Sequence, residues 1–223
     1  MKLKALLPAV LSNVVFLTIL LVSYGDLSYW PAWIYFGMGL LMAVLTRRIL
    51  HRTPELENER AKPGPGVKGW DKKLLGFGFL STLATLVVAG LDAGRYHWEP
   101  VLSWPWSLAG LFLNLAGMGV FLAALKENRF FSSVVRIQSD RGQTVCDSGI
   151  YRIVRHPGYT GMILGNLGLP MLFMSAWSAI PALLFIVLMV VRTHLEDSTL
   201  ANELDGYREY QRVTRHRLVP GVW

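Results

Sequence analysis

Five stretches of this chain contain no Asp, Glu, Lys or Arg, and their lengths restrict what it can fold into. Residues 5–25, 27–46, 74–91 and 100–125 each match the roughly 20 apolar residues that a helix needs to cross a bilayer core of about 30 Å. The fifth stretch, residues 157–191, is too long for one crossing. Pro170, Ser175-Ala-Trp-Ser178 and Pro181 interrupt its middle, so it reads as a hairpin of two shorter helices. Composition agrees, with 52% of residues apolar and 17% charged, against about a quarter charged in an ordinary soluble domain. The expectation is an all-α integral membrane fold of about six transmembrane helices, four plus a C-terminal helical hairpin. Met1-Lys-Leu-Lys4 before an apolar run has the outline of a signal peptide. The run is long for that role and has no convincing small-x-small cleavage site before Asp26, so it reads as a retained helix.

The net charge of +7 raises the question of nucleic acid, but its distribution answers differently. Lys2 and Lys4 precede the first stretch, and Arg47, Arg48, Arg52, Arg60, Lys62, Lys68, Lys72 and Lys73 fill the connection after the second. Basic residues are dense again from Lys126 to Arg155 and beyond Arg192. The alternate connections carry only Asp26, then Asp92, Arg95 and Glu99. That is the positive-inside pattern of a multi-pass protein with both termini cytoplasmic, in a bacterial plasma (inner) membrane or a eukaryotic ER membrane. Anionic headgroups are the expected partners of these cations, and no nucleic acid is called for.

Three zones follow. Residues 1–73 form an N-terminal helical hairpin and a cytoplasmic loop broken by Pro63-Gly-Pro-Gly66. Residues 74–223 form a membrane-embedded core, of which about 134–223 is the part expected to carry chemistry. Within it, Val134-Val-Arg-Ile-Gln138, Ser139-Asp-Arg-Gly142 and Gln143-Thr-Val-Cys146 read as a small strand-turn-strand insert. Pro157 suits the first turn of the next helix, which places Arg155 and His156 at its cytoplasmic mouth. Residues 192–210 read as one cytoplasmic C-terminal helix in which Arg192 and Glu196 share a face. Leu200, Leu204, Tyr207 and Tyr210 form its apolar stripe.

The candidate site is therefore the junction of Tyr151, Arg152, Arg155, His156 and Tyr159 with Arg192, Glu196, Asp197, Tyr207 and Tyr210. Ionisable groups facing a bundle interior at a membrane boundary point to function, although any single Arg, His or Tyr also serves as an interfacial anchor. Gly161, Gly165 and Gly168 recur at one-turn spacing, as close-packing positions or as room for a ligand, and Gly117-Met-Gly119 is open to both readings. Cys146 is the lone cysteine, which excludes an intramolecular disulfide and a Cys-rich metal site. It reads as a small buried residue. No phosphate-binding Gly-rich loop, His-Glu-x-x-His or nucleophile elbow is present. No charge interrupts the apolar stretches, which argues against an ion pathway.

Gly149-Ile-Tyr151-Arg-Ile-Val-Arg155-His-Pro-Gly-Tyr159-Thr-Gly161 resembles the motif G-x-Y-x-x-x-R-H-P-x-Y-x-G. That motif is shared by isoprenylcysteine carboxyl methyltransferases and phospholipid N-methyltransferases. The tail, Arg192-Thr-His-Leu-Glu196-Asp-Ser-Thr-Leu200 followed by Gly206-Tyr207, Tyr210 and Pro220, is similar to that of the same families. The similarity covers roughly residues 110–223. Two departures stand out: Glu196-Asp197 replaces the usual Glu-Glu, and Gly149-Ile150-Tyr151 replaces a frequent Gly-Pro-Tyr.

The resemblance implies an S-adenosylmethionine-dependent methyltransferase acting at the cytoplasmic membrane face on a lipophilic small molecule or lipid-modified substrate. It implies a cofactor site made by Gln143, Val145, Tyr151, Arg155, His156, Tyr159, Gly161, Glu196 and Tyr207. Arg192 and Glu196 are then the catalytic pair, with Arg192 orienting the methyl acceptor, and no metal is implied. Two other readings are a sterol-reductase-like enzyme using NADPH and a membrane scaffold without turnover.

Overall fold

A computed structural model of the chain describes residues 6–223. Lys2 and Lys4, part of the expected basic flank, lie outside the described residues. Eight α-helices are present among them: α1 Leu7–Tyr24, α2 Trp30–Leu50, α3 Pro54–Ala61, α4 Gly69–Gly90, α5 Trp104–Glu127, α6 Pro157–Leu172, α7 Ala179–Glu203 and α8 Tyr207–Val213. A π-helical segment, Leu91–Tyr96, prolongs α4. Proline opens α1, α2, α3, α5 and α6 within the first two positions, where its missing N–H leaves no bond unmade. Gly25 closes α1 at φ 95°, a conformation that favours glycine.

Five of these helices are long and apolar enough to cross a membrane: α1, α2, α4 with its π extension, α5 and α7. The expected hairpin is present as α6 and α7, but α6 has 16 residues, about 24 Å at 1.5 Å per residue. Proline explains the short reach, because Pro170 sits inside α6 and the helix stops two residues later at Leu172. The carbonyls at this end are taken by hydroxyls from the residue capping α2 and from α5. Tyr29 donates to the Phe173 carbonyl (2.5 Å) and Ser107 to that of Leu172 (2.7 Å). In hydrocarbon such groups must be satisfied inside the protein.

The α6–α7 turn is held by a buried acid. Asp92, 3% exposed, accepts from the Ser175 hydroxyl at 2.6 Å and from the backbone N–H of Trp98 at 3.0 Å. Arg95 reaches across to the carbonyls of Val22 and Ser23, both at 2.8 Å. This end of the bundle also collects Trp30, Trp33, Trp98, Trp104, Trp106 and Trp177, six of the chain's eight tryptophans, all well exposed. The Arg- and Lys-rich connections lie at the other end. Between them the surface is apolar, with Val15, Phe79, Phe112, Leu184 and Val187 all exposed. An aromatic rim, an apolar belt and a basic rim are what a bilayer selects.

Helices α5 and α6 approach so closely that only glycine fits between them. A Cβ at Gly117 would stand 2.5 Å from the Gly161 carbonyl oxygen, and one at Gly161 would stand 2.6 Å from that of Gly117. Gly110 and Gly168 meet in the same way about two turns along the seam. Gly161, expected beside a cofactor, is therefore a packing position. The buried core runs on into the N-terminal helices, where Leu20, Ala32, Leu86, Leu172 and Phe173 form one cluster.

Two local expectations are corrected. The insert at 134–146 contains no strand. Val135 spends its N–H on the Asp71 carboxylate (2.8 Å) and its carbonyl on the Lys68 N–H (3.0 Å), so no ladder forms. An isolated two-stranded hairpin is marginal in any case. The C-terminal helix is not continuous over 192–210. It ends at Glu203, the chain reverses at Gly206 (φ 80°), and α8 starts at Tyr207. The break lets Tyr207 and Tyr210 fold back and pack with Ala124 and Tyr151.

The glycine contact can be tested by thermal unfolding of purified variants in detergent. Gly117→Ala and Gly161→Ala force a Cβ into opposing backbone and should each cost about 1–3 kcal/mol. Gly119→Ala, where a Cβ meets nothing within 4 Å, should be neutral or gain up to about 1 kcal/mol of helix propensity. Equal melting temperatures for all three would refute the close-packing role.

Candidate functional site

A cavity of about 230 Å³ opens at the basic end, where α6 begins, α7 leaves the bundle and α8 folds back. Gln143, Val145, Tyr151, Arg155, His156, Tyr159, Arg192, Glu196, Tyr207 and Tyr210 all line it. Of the expected residues Gly161 does not, being held against α5, and Arg152 is exposed outside it. Leu75, Phe121 and Met162 supply an apolar side.

Local sequence explains the mouth. Pro157 holds the preceding residue out of the helical region, so His156 sits at φ −125° and ψ 59°. The Arg155 and His156 N–H groups then point away from the helix and donate to the His216 and Arg217 carbonyls, both at 2.9 Å. The C-terminal segment is thereby strapped across the start of α6, and Thr160 adds a bond to the Leu218 carbonyl at 2.8 Å.

Behind the cavity wall lies Asp197, 1% exposed. Arg155 grips it as a fork, Nε to Oδ1 at 2.7 Å and Nη2 to Oδ2 at 2.9 Å. His156 Nε2 lies 3.1 Å from Oδ1, the Tyr207 hydroxyl donates to Oδ1 at 2.9 Å, and Gln211 and Arg217 reach Oδ2 at 3.1 and 2.8 Å. Arg155 Nη1 donates to the carbonyls of Thr214 and Arg215, both at 2.8 Å. Arg155 thus lines the cavity with its hydrogen bonds directed into the protein.

Arg192 is engaged in the same manner. Its Nε donates to Asp71 Oδ1 at 2.6 Å and Nη2 to Oδ2 at 3.2 Å, with a further bond to the Ser133 carbonyl at 3.1 Å. The guanidinium carbon stands 5.1 Å from the centre of the Tyr159 ring, a cation–π contact. Tyr159 in turn stacks on His156 with centroids 5.8 Å apart and donates its hydroxyl to Glu196. Glu196 makes no ion pair among the described residues. It is the acid that lines the cavity, hydrogen-bonded by Tyr159 but without an ion pair, whereas Asp197 beside it is saturated.

The phenols and the thiol near this acid are shifted toward their neutral forms. Burial, and then the negative charge of Asp197, push the Tyr207 hydroxyl far above its ordinary range. Burial does the same to Tyr151, so both phenols are hydrogen-bonding groups and not bases. Burial also pushes the Cys146 thiol up, which lowers its thiolate fraction.

Several members of the site had no signature in the sequence. Asp71 at the start of α4 is completely buried and holds Arg192, 121 positions away. Glu59 on α3 is 5% exposed and accepts from Arg136 at 2.8 and 2.6 Å and from Ser132 at 3.1 Å. Those bonds, led by the one from Arg136, hold the Glu59 carboxyl below its usual range. Asp140 doubles the grip on Arg136 at 2.7 Å. Arg60, also on α3, faces the cavity beside Phe131.

Residues 108–202 match the model of the "Isoprenylcysteine carboxyl methyltransferase (ICMT) family". Among curated relatives, the cobalt-zinc-cadmium resistance protein CzcN of Cupriavidus metallidurans is 32% identical over 138 residues, 61% of this chain and 60% of its own. A probable protein-S-isoprenylcysteine O-methyltransferase of Oryza sativa subsp. indica is 30% identical over 78 residues, 34% of this chain and 41% of that protein. The protein-S-isoprenylcysteine O-methyltransferase B of Arabidopsis thaliana is 26% identical over 84 residues, covering 36% and 43%. The chain thus spans less than two thirds of the length of each. Residues 108–202, which carry α6, most of α7 and the Arg155-His156 mouth, are thus similar to the ICMT family.

Proposed function

We propose that this protein is an integral membrane methyltransferase that uses S-adenosylmethionine to methylate a lipophilic acceptor at the cytoplasmic face. The observation that carries the reading is Glu196: an acid without an ion pair, lining a half-apolar cavity built on the segment similar to the ICMT family. The donor set fits the cofactor. Glu196 offers a counter-charge to its ammonium or sulfonium, the ring of Tyr159 offers a face to a cation, and the 143–145 backbone offers polar groups to its nucleoside. The relatives' names favour this class over a sterol-reductase-like enzyme or a scaffold.

The cofactor, when bound, supplies an electrophilic methyl group. The protein's share of the work is alignment and exclusion of water, which do most to speed an in-line displacement. Arg192 is held rigid by Asp71 and Ser133, which suits it to fix an acceptor's position without changing rotamer. A carboxylate or thiolate acceptor loses no proton. An amine would lose one, and Glu196 is the group available to take it, since Tyr151 and Tyr207 are held protonated by burial. The apolar wall of Leu75, Phe121 and Met162 gives a lipid-modified acceptor its place.

Orientation follows from the two rims. With the basic end cytoplasmic, both termini and the cavity face the cytoplasm and the tryptophan rim faces outward. Fluorescent-protein and alkaline-phosphatase fusions at Trp223 should be active and inactive, respectively, and the reverse result would refute this topology.

The site is tested by retention of radiolabelled S-adenosylmethionine on purified protein, read beside the melting temperature. Glu196→Gln should weaken binding by about tenfold or more, the scale of a lost charge-assisted contact, while leaving the melting temperature nearly unchanged. Asp197→Asn should instead lower stability by about 3–5 kcal/mol, because it strands buried cations. Full binding by the Glu196 variant would defeat the site assignment.

A further inference from the structure

Four arginines line the cavity, and three of them are already neutralised. Arg136 is held by Glu59 and Asp140, Arg155 by Asp197 and Arg192 by Asp71. Arg60, on α3, forms no ion pair among the described residues. Its partner within the chain is Phe131. Nη1 donates to that carbonyl at 3.0 Å, and the guanidinium carbon lies 5.7 Å from the ring centre. Its other N–H groups find no acceptor among the described residues. Burial lowers its pKa from the ordinary value, the mark of a cation desolvated without a counter-charge.

A half-buried charge of this kind is costly unless something pairs with it. The guanidinium fork matches a carboxylate in two parallel hydrogen bonds. A carboxylate entering the cavity finds the Arg155 guanidinium already committed to Asp197. Arg60 and Glu196 are then the cavity's unpaired cation and unpaired anion. Together they complement a molecule that carries both charges.

We infer that Arg60 is the carboxylate anchor of this cavity, its free N–H groups receiving a carboxylate of the molecule seated there. The carboxylate is either the amino-acid end of S-adenosylmethionine or that of the methyl acceptor. The inference rests on the methyltransferase reading above. It also goes beyond the family segment, since Arg60 lies outside residues 108–202.

The experiment compares wild type, Arg60→Gln and Arg60→Lys as purified full chains in detergent. Four probes are used: S-adenosylmethionine, its decarboxylated analogue, N-acetyl-S-farnesylcysteine and the methyl ester of that compound. If the cofactor is the source, Arg60→Gln should bind S-adenosylmethionine about tenfold or more weakly and the decarboxylated analogue unchanged. If the acceptor is the source, the farnesylcysteine acid should weaken by a similar factor while its ester and S-adenosylmethionine do not. In either arm Arg60→Lys should fall between, since it keeps the charge and loses the fork. Unchanged binding of both acids by Arg60→Gln overturns the inference and leaves the methyltransferase reading standing. Equal loss of all four probes marks a structural role and overturns it as well. A wild type that retains no S-adenosylmethionine overturns both readings.

Discussion

Asp197 is the contact on which the active end of this molecule depends. One carboxylate on α7 receives the residues before α6, the first and second turns of α8, and the C-terminal segment through Arg217. Three pieces of chain with little apolar surface of their own are thereby fixed to one point. The arrangement succeeds because the acid is almost fully buried and every lone pair has a donor. Under those conditions charge-assisted bonds are strong, and removal of one partner is expensive. It also divides labour between neighbours. Asp197 builds the wall, and its saturation leaves Glu196, one residue earlier and on the cavity side, as the free acid.

The same logic recurs at each level of the bundle. Asp71 holds Arg192 and the Val135 backbone, Glu59 holds Arg136, and Asp92 holds the turn at the far end. In the apolar middle no such clip is available, and helix contact relies on shape. Gly110 and Gly117 on α5 meet Gly161, Gly165 and Gly168 on α6 at backbone distance. Small residues do this work in lipid because apolar side chains gain little from leaving one hydrocarbon for another. Polar clips at both rims and a glycine seam between them are therefore complementary solutions.

How legible was this in the sequence? Helices and their lipid exposure were, because a run without charge has few other uses and its length can be compared with a bilayer. The hairpin within 157–191 was legible for the same reason, with proline marking its turn. The gathering of Arg155, His156, Tyr159, Arg192, Glu196 and Tyr207 was legible through spacing and resemblance. What failed was local. Val134–Gln138 has strand-like composition, yet Asp71 and Lys68 claimed its backbone, a contact no pattern announces. Residues 192–210 carry one helical stripe, but Gly206 turned the chain so that the stripe's two halves pack as separate helices. Asp197, the shorter of two adjacent acids, gave no hint that it would outrank Glu196 structurally.

The cavity is a joint product of two regions with different histories of resemblance. Glu196, Tyr159 and His156 come from the segment that matches the family, whereas Arg60, Leu75 and the Asp71 that fixes Arg192 come from outside it. Groups that act on a methyl donor must keep a fixed geometry. Groups that greet the acceptor need only match its charge and bulk. Under the proposed function, the segment similar to the family would hold the methyl donor, while α3 and the start of α4 add Arg60 and Leu75 to the same cavity.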